Sequence, residues 1–173
     1  MHQATLGQRL DLVARRAVPV GITLFLLLFS VTPLHIPGLA TVGPMYTLIA
    51  VYFWSVYRPD GLGYGAAFAI GVTEDLIVGT PLGSTALLLL LCQWVVFHRQ
   101  RFFNGRPFLE VWLAFAVIAF GAGILRWMCI GLITSGNFPA AGDLLGTVML
   151  TVMLYPVIGW LLARAQMKLM VQP

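Results

Sequence analysis

Apolar positions group into six long runs, separated by short breaks rich in polar residues, glycine and proline. A membrane-spanning helix needs roughly 20 mostly apolar residues, and the runs approach that length. They are Ala17–Leu34, Leu39–Tyr57, Leu62–Val78, Gly83–Phe97, Phe108–Ile133 and Asp143–Ala163. This pattern predicts an all-α, polytopic membrane protein with six transmembrane helices spanning residues 17–164. Residues 1–16 form an N-terminal segment before the bundle and residues 165–173 a tail after it. The second helix is expected to start near Pro44, because proline is tolerated in the first turn and disruptive further in. The fourth run is short, and the fifth is long enough to tilt or protrude. No connection is long enough to fold as a soluble domain, and no repeat of 20–50 residues is visible.

The polar remainder orients the runs. Arg9, Arg15 and Arg16 precede the first run, and Arg58 divides the second from the third. Arg99, Arg101 and Arg106 divide the fourth from the fifth, and Arg164 and Lys168 follow the sixth. The other connections, near residues 34–43, 79–82 and 134–142, carry no charge. With six spans every basic connection falls on one side, so both termini are expected to be cytoplasmic by the positive-inside rule. Trp54, Trp94, Trp112 and Trp160 lie within about a turn and a half of that boundary, where interfacial aromatics concentrate. The first run is longer than a signal-peptide core and is followed by five more, so it is read as an uncleaved helix. Before it, Leu6, Leu10 and Val13 recur at helical spacing beside Arg9, Asp11, Arg15 and Arg16. Two readings of this segment stand side by side: an amphipathic helix on an anionic leaflet, or a frayed tail carrying ordinary positive-inside charges.

Composition narrows the class. Of 173 residues, 60% are hydrophobic and 9% charged, with a mean hydropathy of +0.91. A soluble domain carries roughly 25% charged residues, and disordered chains are poor in hydrophobic ones. Two cysteines exclude a disulfide scaffold or a cysteine-rich zinc module. A net charge of +4 scattered among apolar runs gives no footprint for nucleic acid. The expected environment is therefore the lipid bilayer.

Ionisable residues inside spans are costly and are functional candidates by default. Glu74 and Asp75 lie near the outer end of the third run, and Arg126 lies in the outer half of the fifth. Asp75 is roughly 6 Å from Gly79 and Arg126 roughly 13 Å from Ser135 along their helices, a difference that an arginine can bridge. Gly63, Ala67, Gly71 and Asp75 follow at intervals of four, while Ala116, Ala119, Gly123 and Arg126 follow a three-four spacing. Such small-residue ridges permit close helix approach in lipid, so both charges are expected to face protein. The pattern predicts an Asp75–Arg126 ion pair joining the third and fifth helices, either as structural glue or as part of a transport or proton path. Glu74, about 100° away around the helix, is expected to snorkel outward or to meet a different neighbour.

The remaining polar residues suggest less. Glu110 and Asp143 open the fifth and sixth helices, where a carboxylate favours the positive end. His2, His35 and His98 have no companion at ligand spacing, so no metal site is expected. Cys92 and Cys129 are expected to pack as small apolar residues. Ser84 and Ser135 lack the setting of a nucleophile. Gly61, Gly63 and Gly65 open a helix rather than a phosphate loop. No cofactor is implied.

The run Gly71-Val72-Thr73-Glu74-Asp75-Leu76-Ile77-Val78-Gly79-Thr80-Pro81-Leu82-Gly83 is the most specific segment. By itself it describes a tight hairpin: Gly79 can take positive φ to end a helix, Pro81 can start the next, and Gly83 can permit close contact. The same run resembles the signature of the MreD family of bacterial rod shape-determining membrane proteins. There an aspartate closes the third helix, and a glycine-containing turn with a Leu-Gly pair opens the fourth. Arg58-Pro59 after an aromatic second span, the Gly63–Phe68 helix start, Pro44 and the arginine-bearing loop after the fourth span are similar too. The motif-level resemblance covers about residues 44–106, while size and topology cover the whole chain.

The resemblance implies a non-enzymatic component of the peptidoglycan elongation machinery in the inner membrane. It implies a membrane partner of the MreC type, and beyond it MreB, RodA and the elongation transpeptidase. It also implies an overall fold similar to the substrate-binding subunits of energy-coupling-factor vitamin transporters. That kinship supplies the rival reading, a vitamin-binding transporter subunit with Glu74, Asp75, Arg126 and Asn137 as its polar groups. The first run lacks the Ala-x-x-x-Ala contact typical of such subunits. An intramembrane hydrolase ranks last for want of a nucleophile and base.

Overall fold

A computed structural model of the protein describes residues 6–31, 43–59, 61–103, 105–133 and 138–170. Among these residues the regular structure is all helical: α1 (Leu6–Val31), α2 (Tyr46–Tyr57), α3 (Tyr64–Val78), α4 (Ser84–His98), α5 (Gln100–Phe103), α6 (Phe108–Ile133) and α7 (Ala141–Met170). Helix ends follow local chemistry. The Pro44 carbonyl takes the Tyr46 amide at 3.0 Å, and α2 starts there. Pro107, whose fixed φ suits a helix start, offers its carbonyl to Glu110 and Val111 as α6 begins.

Three boundaries differ from expectation. α1 continues unbroken through Pro19, so residues 6–16 and the apolar stretch up to Val31 form one helix. Proline removes one backbone donor there, and the alanine and arginine residues of 14–17 before it favour helix. α7 runs to Met170, past the expected end at Ala163, because Arg164 to Met170 contains no helix breaker. The extra turn α5 was not anticipated by the hydropathy pattern, since four residues between arginines leave no periodic signal.

α2 forms the centre. Every residue from Tyr46 to Ser55 is buried, as befits a helix that is apolar all round and has no solvated face. α1, α3, α4 and α7 pack against it, while α3 with α4 and α6 with α7 form the closest helix pairs. Tyr52 binds the layers together: its hydroxyl donates to the Val111 carbonyl at 2.8 Å, and its ring meets Phe115 at 5.0 Å and Tyr155 at 5.6 Å. The Met45 amide, an otherwise orphaned donor at a helix start, donates to Thr151 Oγ1 of α7 at 3.0 Å.

α6 and the Ala141–Met167 stretch of α7 are long and apolar enough to cross a membrane by length and composition. Val18–Ser30, α2 and α4 are apolar but shorter. Trp94 and Trp160 are more than half exposed, whereas Trp54 is fully buried and cannot serve in an interfacial belt. Packing around α2 claims it first. Trp112 is half-buried, and its indole donates to the Val152 carbonyl at 2.9 Å.

Candidate functional site

The hairpin between α3 and α4 is built by two glycines in the left-handed region. Gly79 closes α3 at φ 75°, and Gly83, immediately before α4, sits at φ 91°. The first amides of a helix lack intrahelical partners, and Gly83 has no side chain to cap them. Asp75 supplies the cap from the preceding helix. Its Oδ2 accepts the Gly83 amide at 2.8 Å. Its Oδ1 accepts the Thr80 hydroxyl at 2.7 Å, the Ser84 hydroxyl at 3.2 Å and the Thr85 amide at 3.1 Å. The carboxylate is completely buried at the positive end of α4, where hydrogen bonds to an ionised acceptor are at their strongest.

This geometry replaces the expected Asp75–Arg126 pair. Asp75 stands in the last turn of α3, so the tight turn returns four donors to it before a distant helix can compete. The small residues follow the same logic. Ala67 and Gly71 are buried, and a Cβ on Gly71 would strike the backbone of Ala86 on α4. The Gly123 ridge of α6 instead faces Leu144 and Val148 of α7. The two ridges therefore bind different partners, and Gly63, exposed at the start of α3, lies outside the contact. Pro81 belongs to the turn, where its carbonyl accepts the Ser84 amide at 3.0 Å, and does not begin the helix. Gly83 has open space beside it, so its positive φ rather than close helix contact calls for glycine.

Glu74 is the acid that shares surroundings with Arg126. It is buried on the inward side of α3, where Thr47 Oγ1 of α2 donates to Oε2 at 2.5 Å. Thr47, Leu48, Glu74, Thr85, Leu88 and Arg126 line one small cavity where α2, α3, α4 and α6 converge. Arg126, half-buried, lies within electrostatic reach of Glu74. The cavity has room for about one water molecule, far less than a vitamin-sized ligand requires.

Chemically, Asp75 is saturated by donors and has the character of a structural cap. Glu74 and Arg126 line one confined polar cavity between helices. Among the described residues no group of three His, Cys, Asp or Glu could hold a metal. Cys92 is buried, and His98 stacks on Trp94 at 5.5 Å. Glu110 and Asp143 do occupy first turns, and Glu110 also pairs with Arg106 at 2.6 Å. His2, His35, Ser135 and Asn137 lie outside the described residues. Sequence reasoning missed Thr47, Thr80 and Thr85. A hint was present in Gly83, since a helix opened by glycine must find its cap elsewhere.

Thr47→Val removes one donor without changing shape and leaves a buried carboxylate oxygen unsatisfied. The expected loss is about 1–3 kcal/mol, read as a lowered melting temperature of the detergent-purified chain. Wild-type melting would show that this bond contributes nothing.

The family model described as rod shape-determining protein MreD matches residues 15–165. No curated protein and no solved structure matches the chain.

Proposed function

The chain belongs to the MreD family of rod shape-determining proteins, and from that membership we propose that it is a non-enzymatic scaffold of the bacterial cell-elongation complex. The observation that carries this reading is the family match, which runs from α1 into α7 and includes the Asp75 hairpin. In this reading the chain is a multi-pass inner-membrane protein with six spans and both termini cytoplasmic. Support comes from the nine basic residues that six spans would put on one side. The apolar outward positions Leu113, Val117, Met149 and Met153 suit a lipid surround. α2 to α4 are roughly 18–22 Å long, shorter than the hydrocarbon core, and reach across it together with their flanking segments or by local thinning.

The protein works by presenting helix faces and short loops to an MreC-type membrane partner, and through the assembly to MreB, RodA and the elongation transpeptidase. Its contribution is to hold peptidoglycan synthesis in the geometry that elongates a rod. Depletion in cells tests this: rounding with unchanged vitamin uptake is expected. Rods that persist after the protein is gone would refute it.

A further inference from the structure

The corner between α4 and α6 presents a surface whose chemistry the scaffold role does not require. Phe103 is buried against the core, edge-on to Tyr52 at 6.0 Å. It fixes α5 so that the neighbouring Arg101 and Phe102 are exposed. Gly105, at φ 78°, then turns the chain and sets the Arg106 guanidinium over the Phe102 ring, 4.9 Å from its centroid. Arg99, Arg101 and Arg106 are all exposed, and so are Phe102, Phe108 and Leu109 beside them.

The corner's own acid is Glu110, which Arg106 Nη1 already occupies at 2.6 Å. Three arginines against one glutamate leave the corner positive. A second pair repeats the pattern at the same end of the bundle. Phe108 stacks on Tyr155 at 6.0 Å, which brings the later part of α7 alongside. There Arg164 lies over Trp160 at 4.2 Å.

A loop in water would not expose three large apolar side chains among its arginines, and a loop within the acyl region would not expose arginines. Apolar bodies with cationic tips belong at the boundary between headgroups and acyl chains. We propose that the α4–α6 corner is a binding site for the phosphate headgroups of anionic phospholipids. Arg99, Arg101 and Arg106 meet the phosphates, and Phe102, Phe108 and Leu109 enter the acyl boundary. The acyl-seeking residues favour a lipid over an acidic protein segment. The inference rests on the chain spanning a membrane but not on its role in cell shape.

The test uses the full chain in mild detergent, melted with added phosphatidylglycerol, phosphatidylcholine or inorganic phosphate at matched concentration. Phosphatidylglycerol alone is expected to raise the melting temperature. Each arginine near an anionic surface strengthens binding about fivefold, so R99Q/R101Q/R106Q loses most of that rise. R99K/R101K/R106K, which keeps the charge, retains most of it. Circular dichroism before heating confirms that each variant is folded. A variant that does not fold is replaced by R101Q/R106Q, which is expected to lose more than half of the rise. An equal rise with phosphatidylcholine, an equal rise with phosphate alone, or an undiminished rise in the glutamine variants overturns the proposal. A chain that stays in solution without detergent would instead refute the membrane reading beneath it.

Discussion

Asp75→Leu is expected to destabilise the protein by about 3 kcal/mol or more, the largest effect of any single change in the hairpin. Leucine is similar in size but offers no acceptor, so the buried Thr85 amide and Ser84 hydroxyl, and the half-buried Gly83 amide and Thr80 hydroxyl, lose their common partner. Each buried donor left unsatisfied costs about 1–3 kcal/mol, although relaxation of the turn recovers part of this. Asp75→Asn is expected to fall between the wild type and leucine, because its amide oxygen keeps one side of the cap while its NH2 opposes the donors on the other. Unfolding of the purified chain, followed by helicity in detergent, gives the comparison. The cell should show the same order in accumulated protein. Asp75→Leu protein that melts within about 2 °C of wild type would show the cap to be dispensable, since a 1 kcal/mol change in a domain of this size shifts melting by about 2–4 °C or more.

Gly71→Val is the second large effect. A Cβ at this position would overlap the Cα and amide nitrogen of Ala86, and neither atom can rotate away. Overpacking typically costs about 1–3 kcal/mol, and a clash with backbone belongs at the upper end because α3 and α4 must move apart as bodies. Ala86→Gly should not rescue it, since the obstruction is main chain rather than the alanine methyl. Gly123→Ala provides the contrast. Its new methyl meets Val148 Cγ2 and Leu144 Cδ1, side chains that can change rotamer, so the cost there should be smaller than at Gly71. Melting curves for the three variants test the order directly. A Gly71→Val/Ala86→Gly protein with wild-type melting would show that the obstruction is side chain after all.

Helix positions were readable where a residue's covalent nature fixes the backbone. Pro44 and Pro107 announced the starts of α2 and α6, and Gly79 announced the end of α3. The start of α6 at Phe108 was legible because Pro107 precedes it. The continuity of α1 and α7 was not, since hydropathy reports where lipid would surround a helix and not where its hydrogen bonds stop. The site was legible as a set of residues but not as a set of pairs. Helical spacing correctly turned Ala67, Gly71 and Asp75 toward protein, yet direction alone does not name the neighbour. Asp75 and Glu74 differ by one residue. That step gave one carboxylate to a nearby helix start and the other to Thr47, with Arg126 across the cavity. The deciding quantity was contour distance. Ten residues separate Asp75 from Thr85 and 51 separate it from Arg126, so closing the short loop costs less entropy.

The enclosure of α2 also sets how mutational data on this chain should be interpreted. From Tyr46 to Ser55 every residue is buried, so that stretch offers almost no surface to anything beyond the chain while the fold is intact. A shape defect caused by a substitution there reports impaired folding or altered packing transmitted outward. It does not map a docking contact. Suppressors of such a defect should arise within the same chain, in α1, α3, α4, α6 or α7. Suppressors arising in a partner protein would point to positions on the outward faces of those five helices.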